Sequence, residues 1–143
     1  MQPYRLQIPR PHFEAMLAHA RHDLPHECCG FLAGTLHEGI AIVEAVTPLI
    51  NALASPIAYE ADVRSLLHAH KAMRASGLRE VAVFHSHPTS APVPSKTDLK
   101  NNGYGTDLLH LIIGLLNAEP VVRAWVLHAQ HFEEATLEWI EPI

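Results

Sequence analysis

Val81-Ala82-Val83-Phe84-His85-Ser86-His87-Pro88, continued by Thr89-Ser90-Ala91-Pro92-Val93-Pro94 and then Ser95-Lys96-Thr97-Asp98, decides how this chain is read. The apolar run Val81 to Phe84 has the look of a buried strand. Side chains on a strand alternate faces with period two, so His85 and His87 project the same way and can converge on one ion. Pro88 ends the strand, and the proline-bracketed loop Pro88 to Pro94 turns the chain back. Ser95 is then placed to cap a helix whose first turn carries Asp98. Two imidazoles and one carboxylate face a common point. Zinc favours such nitrogen and oxygen ligands in tetrahedral geometry, and three protein ligands leave the fourth position for water, the arrangement of a catalytic site. Without a metal, Ser95-Lys96-Thr97-Asp98 is also explained as a capping box.

The sequence holds an internal control. His68-Ala69-His70 is a second H-x-H, but it lies in Ala61 to Ser76, where Val63, Leu66, Ala69 and Met73 have helical spacing. Residues two apart on a helix point in nearly opposite directions, so this pair is not expected to chelate, and His70 is expected at the surface or half-buried. Two rival zinc patterns are incomplete in this chain. His12-Phe13-Glu14 and His131-Phe132-Glu133 satisfy the H-x-E half of the zinc deaminase pattern, but the chain has no P-C-x-x-C. The H-E-x-x-H helix of the zincin proteases is absent as well.

The run HSHPTSAPVPSKTD resembles the signature of the JAMM metalloproteases, or MPN-plus domains: a distant glutamate, then H-x-H, ten residues and D. The upstream glutamate of that family often stands in a P-x-E-x-C-G context, and Pro25-His26-Glu27-Cys28-Cys29-Gly30 fits it. Asn51, Ser55-Pro56 and Tyr59 resemble the loop before the long helix in bacterial members, and Asn102-Gly103-Tyr104 the segment after the motif. The likeness runs from about Leu6 to about Leu127. It implies Glu27 as the acid/base residue, His85, His87 and Asp98 as zinc ligands, and Ser95 as a hydrogen-bonding partner of the reacting carbonyl. It also implies a substrate: a peptide or isopeptide bond after the C-terminal Gly-Gly of a ubiquitin-like or sulfur-carrier protein. The chain lacks the insertions with which eukaryotic deubiquitinases grip a second ubiquitin, which favours a sulfur-carrier tail. A non-catalytic MPN-type scaffold, and a JAMM peptidase with a cell-wall or phage-related substrate, are the alternatives.

From the residues alone Glu27 is less distinct than the ligands, since Glu14, Glu38, Glu44, Glu60 and Glu80 are also available. Its position favours it. Glu27 opens Cys28 to Gly34, an apolar stretch that reads as a core strand, so its carboxylate can lean toward an interior cleft. Cys28 and Cys29 are adjacent and would face opposite sides of that strand, so they are expected to be reduced and packed, like most free cysteines. A cysteine protease would need an activated thiolate beside a histidine, and only His26 is adjacent in sequence.

At 143 residues with 48% hydrophobic content the chain has the size of one domain, 1–143, able to bury a core. The net charge of −5 with no lysine or arginine cluster argues against nucleic acid and anionic membranes as partners. No apolar run reaches a membrane span, and Met1 to Arg10 does not read as a secretory signal, so a cytoplasmic protein is expected.

Around the motif, Leu6 to Ile8 reads as a short strand, and Pro11 opens a helix with the stripe Phe13, Met16, Leu17 and Ala20. Cys28 to Thr35 and Ile40 to Val46 form a hairpin around His37-Glu38-Gly39. An irregular segment, Thr47 to Ile57, precedes the helix from Ala61. Leu109 to Leu116, Val121 to Ala129 and Phe132 to Ile140 complete the strands. This order predicts an α/β (α+β) domain with a curved mixed β-sheet flanked by helices. The MPN/JAMM fold, similar to that of cytidine deaminases, fits the order.

Overall fold

The structure is a computed structural model that describes residues 2–141. The chain runs β1 (Arg5–Pro9), α1 (Arg10–His22), β2 (Cys29–His37), β3 (Ile40–Leu49), α2 (Val63–Ser76), β4 (Arg79–His87), α3 (Lys96–Lys100), β5 (Leu109–Gly114), β6 (Val121–Leu127) and β7 (Phe132–Ile140). The mixed sheet expected from the sequence is present and goes further than curvature. It closes on itself in the order β1-β3-β2-β4-β5-β6-β7, with β1 parallel to both β3 and β7. Closure leaves little free sheet edge to be shielded, the unpaired outer part of β3 beyond Ile42 being the main stretch.

Strand alternation sorts the apolar side chains into an inside and an outside. Leu6, Leu32, Ala41, Val43, Ala82, Phe84, Leu111, Ile113 and Val126 fill the interior together with Met16 and Ala20 of α1. Phe13 and Leu17, the rest of the expected α1 stripe, pack against the same cluster. On the outer face, Cys29, Phe31, Ala33 and Val83 pack beneath Ala69 and Met73 of α2. Ile112, Trp125 and Leu127 pack beneath Val93 and Leu99 of the motif segment. The outer face of β4 between these two clusters is where the histidines emerge.

Several boundaries differ from the sequence expectation. β2 continues to His37 because the hairpin turns on two residues only, Glu38 (φ 51) and Gly39 (φ 80), both in the left-handed region that a tight hairpin demands. β3 runs through Pro48 to Leu49. Its pairing with β1 is confined to Ile40–Ile42, so one side of β3 is unpaired at Pro48 and the missing N–H does no harm there. α2 starts at Val63, not Ala61, because the Asp62 side chain accepts from Ser65 N at 3.1 Å and caps the helix, while Ala61 bridges to Asn51. α1 begins at Arg10, one residue earlier than expected, directly after β1. β5 and β6 stop at Gly114 and Leu127, short of Leu116 and Ala129, where turns take over.

Candidate metal centre

β4 delivers His85 and His87 to the same outer face, one on either side of the inward-facing Ser86. Both are buried, 1% and 6% exposed. Ser86 holds the neighbouring strand, its hydroxyl accepting from Cys28 N at 2.8 Å. After Pro88 the loop returns over β5 and β6 and is pinned at Pro92. Trp125 Nε1 donates to Pro92 O at 2.9 Å, and Gly114 allows the contact because a Cβ there would stand 2.7 Å from the proline ring. The loop ends at Ser95, which caps α3 (φ −89, ψ 168).

Asp98 takes part in two arrangements at once. Asp98 N donates to Ser95 Oγ at 3.0 Å and Ser95 N donates to Asp98 Oδ2 at 2.9 Å, a complete capping box. The same carboxylate meets both rings, with Oδ1 3.2 Å from His85 Nε2 and Oδ2 3.1 Å from His87 Nε2. The two Nε2 atoms are 3.2 Å apart. Ligand atoms at roughly 2.0 to 2.1 Å around a tetrahedral zinc would stand about 3.3 to 3.4 Å from one another. The two nitrogens stand at about that spacing and each meets one oxygen of the same carboxylate, so the three side chains can share such an ion, and they form a ligand-type group by proximity. The tautomer agrees. His87 Nδ1 stands 2.9 Å from Ala91 O, a pure acceptor, so Nδ1 carries the hydrogen and Nε2 keeps the lone pair in the neutral ring.

Charge in the centre is strongly organised. Burial alone would raise the Asp98 carboxyl, but hydrogen bonds from His85 and His87 hold it well below the usual carboxylate range. Burial, the largest single cause, opposes the His87 cation, but the hydrogen bonds to Asp98 and Ala91 and the charges of Asp98 and Glu27 together raise the imidazole above its ordinary value. Tyr59 stacks on the His85 ring, centroids 4.8 Å apart, and fixes its plane.

Glu27 lies two residues before the start of β2 and is 4% exposed. Among the described residues it is the one buried glutamate or aspartate. Glu14, Glu38, Glu44 and Glu60 are exposed, and Glu80 pairs with His70 at 2.7 Å. Glu27 Oε1 is shielded from solvent and has no hydrogen-bond partner. Burial pushes its carboxyl up to about 8; the charge of His87 opposes this and that of Asp98 adds to it, so the group is coupled to the ligand cluster.

Its backbone is held on both sides. Glu27 N donates to Ser55 O at 2.8 Å, and Asn51 Nδ2 donates to Glu27 O at 3.0 Å. Asn51 also donates to Ala58 O at 3.0 Å and accepts from Leu53 N and Glu60 N, each at 3.1 Å. One buried amide thus ties the 51–60 loop to Glu27. That loop forms one wall of a cleft of about 470 Å³ beside His85 and Asp98, whose other wall carries Asn102, Tyr104 and His110. Glu27 itself lines a second hollow with His26 and Asn51.

The remaining sequence-predicted residues fall as expected. Cys28 and Cys29 are free and buried on opposite faces of the sheet, one in the interior cluster and one under α2. Burial pushes both thiols up to about 12, the opposite of an activated nucleophile. His70 is half-buried against Phe31 and is not grouped with His68. His110 of β5 is a buried residue beside the centre that the sequence motif does not include. It is 3% exposed, its Nε2 has no partner, and burial together with the neighbouring His85 pushes it down to about 4. Its signal in the sequence was a single ionisable residue inside the apolar run Leu108 to Ile113.

Comparison with known proteins agrees with this geometry. The family described as prokaryotic homologs of the JAB domain matches residues 9–128. A CysO-cysteine peptidase from Mycobacterium tuberculosis is 40% identical over 97 residues, 68% of this chain and 65% of that protein. A probable TtuB-protein conjugate cleaving protease from Thermus thermophilus is 41% identical over 96 residues, 66% of this chain and 62% of that protein. The matched region thus spans slightly less than two thirds of each relative. The solution structure of a protein from Desulfitobacterium hafniense superposes with a TM-score of 0.89 at 34% identity, covering 96% of this chain and 94% of that one. No described helix is long and apolar enough to cross a membrane. A match over residues 9–128, borne by a sheet that brings His85, His87 and Asp98 together, shows that this chain belongs to the prokaryotic JAB domain family, within the JAB/MPN group.

Proposed function

We propose that this protein is a zinc-dependent metallopeptidase that hydrolyses the peptide or isopeptide bond following the C-terminal Gly-Gly of a small ubiquitin-like or sulfur-carrier protein in the cytoplasm. The observation that carries the proposal is the convergence of His85 Nε2, His87 Nε2 and the Asp98 carboxylate at 3.1 to 3.2 Å, with the buried, unpartnered Glu27 carboxyl coupled to them. Its relatives support the substrate class, one named for a CysO-cysteine and another for a TtuB-protein conjugate.

His85, His87 and Asp98 hold the ion in this account. Bound zinc supplies a water acidified to a pKa of roughly 7 and a Lewis acid for the scissile carbonyl. Glu27 accepts a proton and hands it to the leaving amine; a carboxyl tuned toward neutrality suits both halves of that transfer. Ser95 Oγ accepts from Asp98 N, which leaves its own O–H to donate to the developing oxyanion. Asn51 keeps Glu27 in register with the cleft loop. The aromatic walls at Tyr59 and Tyr104 favour an extended glycine tail, which has no side chains to clash with them.

The test uses a small carrier protein ending in Gly-Gly, joined in one preparation to an amino acid by a peptide bond and in another to a lysine side chain. Intact-mass analysis is expected to show release exactly one bond after the second glycine, abolished by chelation and restored by zinc. Failure to cleave either conjugate with zinc present would leave the scaffold alternative standing.

A further inference from the structure

His110 has no part in the function above, yet a polar residue at its position needs a reason. It lies on β5 inside the apolar run Leu108 to Ile113, where a leucine or phenylalanine would leave no polar atom to satisfy. Its partner across the sheet is Val83, two residues before His85 on β4 and part of the outer cluster under α2, so His110 shares the face that carries the ligands. There it lines the same cleft as His85, Asp98, Tyr59 and Tyr104. It is 3% exposed, and its Nε2 has neither solvent nor a hydrogen-bond partner. Burying an unpartnered nitrogen is unfavourable, so the fold keeps this imidazole at a cost.

Nε2 is shielded in this arrangement, and a ligand atom reaches it only once a neighbouring ring moves. The Tyr104 ring is beside it, centroids 6.5 Å apart, and Tyr104 is 39% exposed. Tyr104 stands between Gly103 and Gly105, and a Cβ at either glycine would meet no atom within 4 Å. Asn102 fastens the turn: its Nδ2 donates to Gly105 O and its Oδ1 accepts from Tyr104 N, each at 3.0 Å. These bonds fix the backbone and not the ring, and the space around the two glycines lets the ring swing.

We propose that His110 recognises the backbone of the substrate's glycine tail, its Nε2 sharing a hydrogen bond with a tail amide once Tyr104 turns aside. The inference rests on the function proposed above and adds to it the group that reads the tail. Two residues of extended strand span about 6.6 Å. A tail lying along the cleft with its last carbonyl at His85 and Asp98 therefore brings the amides flanking the first glycine to His110. A side chain on that glycine would hold the backbone off the imidazole, whereas glycine allows the close approach. A neutral imidazole offers one donor and one acceptor, so either an amide N–H or its carbonyl can be met. His110 is thus a specificity-determining residue that touches the tail and not the metal.

The experiment follows the imidazole nitrogens by NMR in the zinc-loaded Glu27→Gln protein as it is saturated with a Gly-Gly-tailed carrier joined to an amino acid. The His110 Nε2 resonance, assigned through the His110 backbone, is expected to move on saturation. In the otherwise wild-type protein, His110→Phe keeps an aromatic ring and removes the nitrogens. KM for the conjugate should rise about 3- to 10-fold, with kcat changing far less and zinc content unaltered. Should His110→Phe not fold, the resonance decides alone. A resonance that stays in place at saturation, or an unchanged KM in folded His110→Phe, would overturn the proposal. Cleavage of the same conjugate by wild type, run alongside, tests the function on which it rests, so the two failures are told apart.

Discussion

Replacing Glu27 by glutamine is expected to stabilise the metal-free protein at high pH while removing its activity. Burial is the main cause that pushes the Glu27 carboxyl from 4.5 up to about 8. In the unfolded chain the group ionises at its ordinary value, so between pH 4.5 and about 8 the folded protein holds a proton that the unfolded chain has lost. Stability therefore falls as pH rises through that window. At 1.36 kcal/mol per pKa unit, the buried carboxylate costs at most about 5 kcal/mol above pH 8. Water entering the cleft reduces this to about 2 to 4 kcal/mol. Glutamine has nearly the same shape and no charge, but it leaves an amide N–H unpaired, at about 1 to 2 kcal/mol. The variant should then be up to about 3 kcal/mol more stable than wild type at pH 8.5, at most roughly 9 °C in melting temperature. At pH 5, where the folded wild type is already protonated, that advantage should vanish. Thermal unfolding in chelator at both pH values measures this, beside turnover of the zinc-loaded proteins, which should fall by roughly 10²- to 10⁴-fold with zinc still bound. Equal destabilisation at both pH values would show Glu27 to be an ordinary paired carboxylate. Undiminished hydrolysis would assign the base to another group.

Ser95→Ala should keep zinc, lose about 1 kcal/mol of capping stability and also lower turnover; an unchanged rate with a lowered melting point would make Ser95 a cap only. His110 is held neutral, its folded value of about 4 lying below the unfolded 6.5, so stability should drop as pH falls from about 6.5 toward 4, by up to ~3 kcal/mol. His110→Phe should flatten that part of the urea-midpoint profile, and an unaltered profile would assign the acid sensitivity elsewhere. Iodoacetamide at pH 8 should leave the native protein's mass and hydrolysis unchanged, because both thiols are buried and raised to about 12. Alkylation of the folded protein with loss of activity would instead reopen a thiol mechanism.

The grouping of His85, His87 and Asp98 was legible in the sequence because its geometry is local. His85 and His87 depend only on the strand period, and Asp98 only on a turn and a cap within the same segment. β7 lies where the sequence places it, Phe132 to Ile140, after the break that follows β6. Glu27 was not separable from five other glutamates by its neighbours. What distinguishes it is burial created by the 51–60 loop through Asn51, a contact spanning 24 residues. Closure of the sheet was equally invisible, since the parallel pairing of β1 with β7 joins the two ends of the chain and leaves no periodic mark in either strand. His110 stayed hidden because a lone histidine in an apolar strand does not reveal which face it occupies until β5 is set beside β4, where it pairs with Val83.

The most direct measurement is anomalous diffraction at the zinc edge from crystals of the zinc-loaded Glu27→Gln protein holding an uncleaved Gly-Gly-tailed conjugate. A peak within roughly 2.0 to 2.1 Å of His85 Nε2 and His87 Nε2 and bound by Asp98 is predicted. Residue 27 should stand beside it without ligating, and the scissile carbonyl should lie within hydrogen-bond reach of Ser95 Oγ. A peak away from these three side chains, or a tail bound outside the cleft between Tyr59 and Tyr104, would contradict the account.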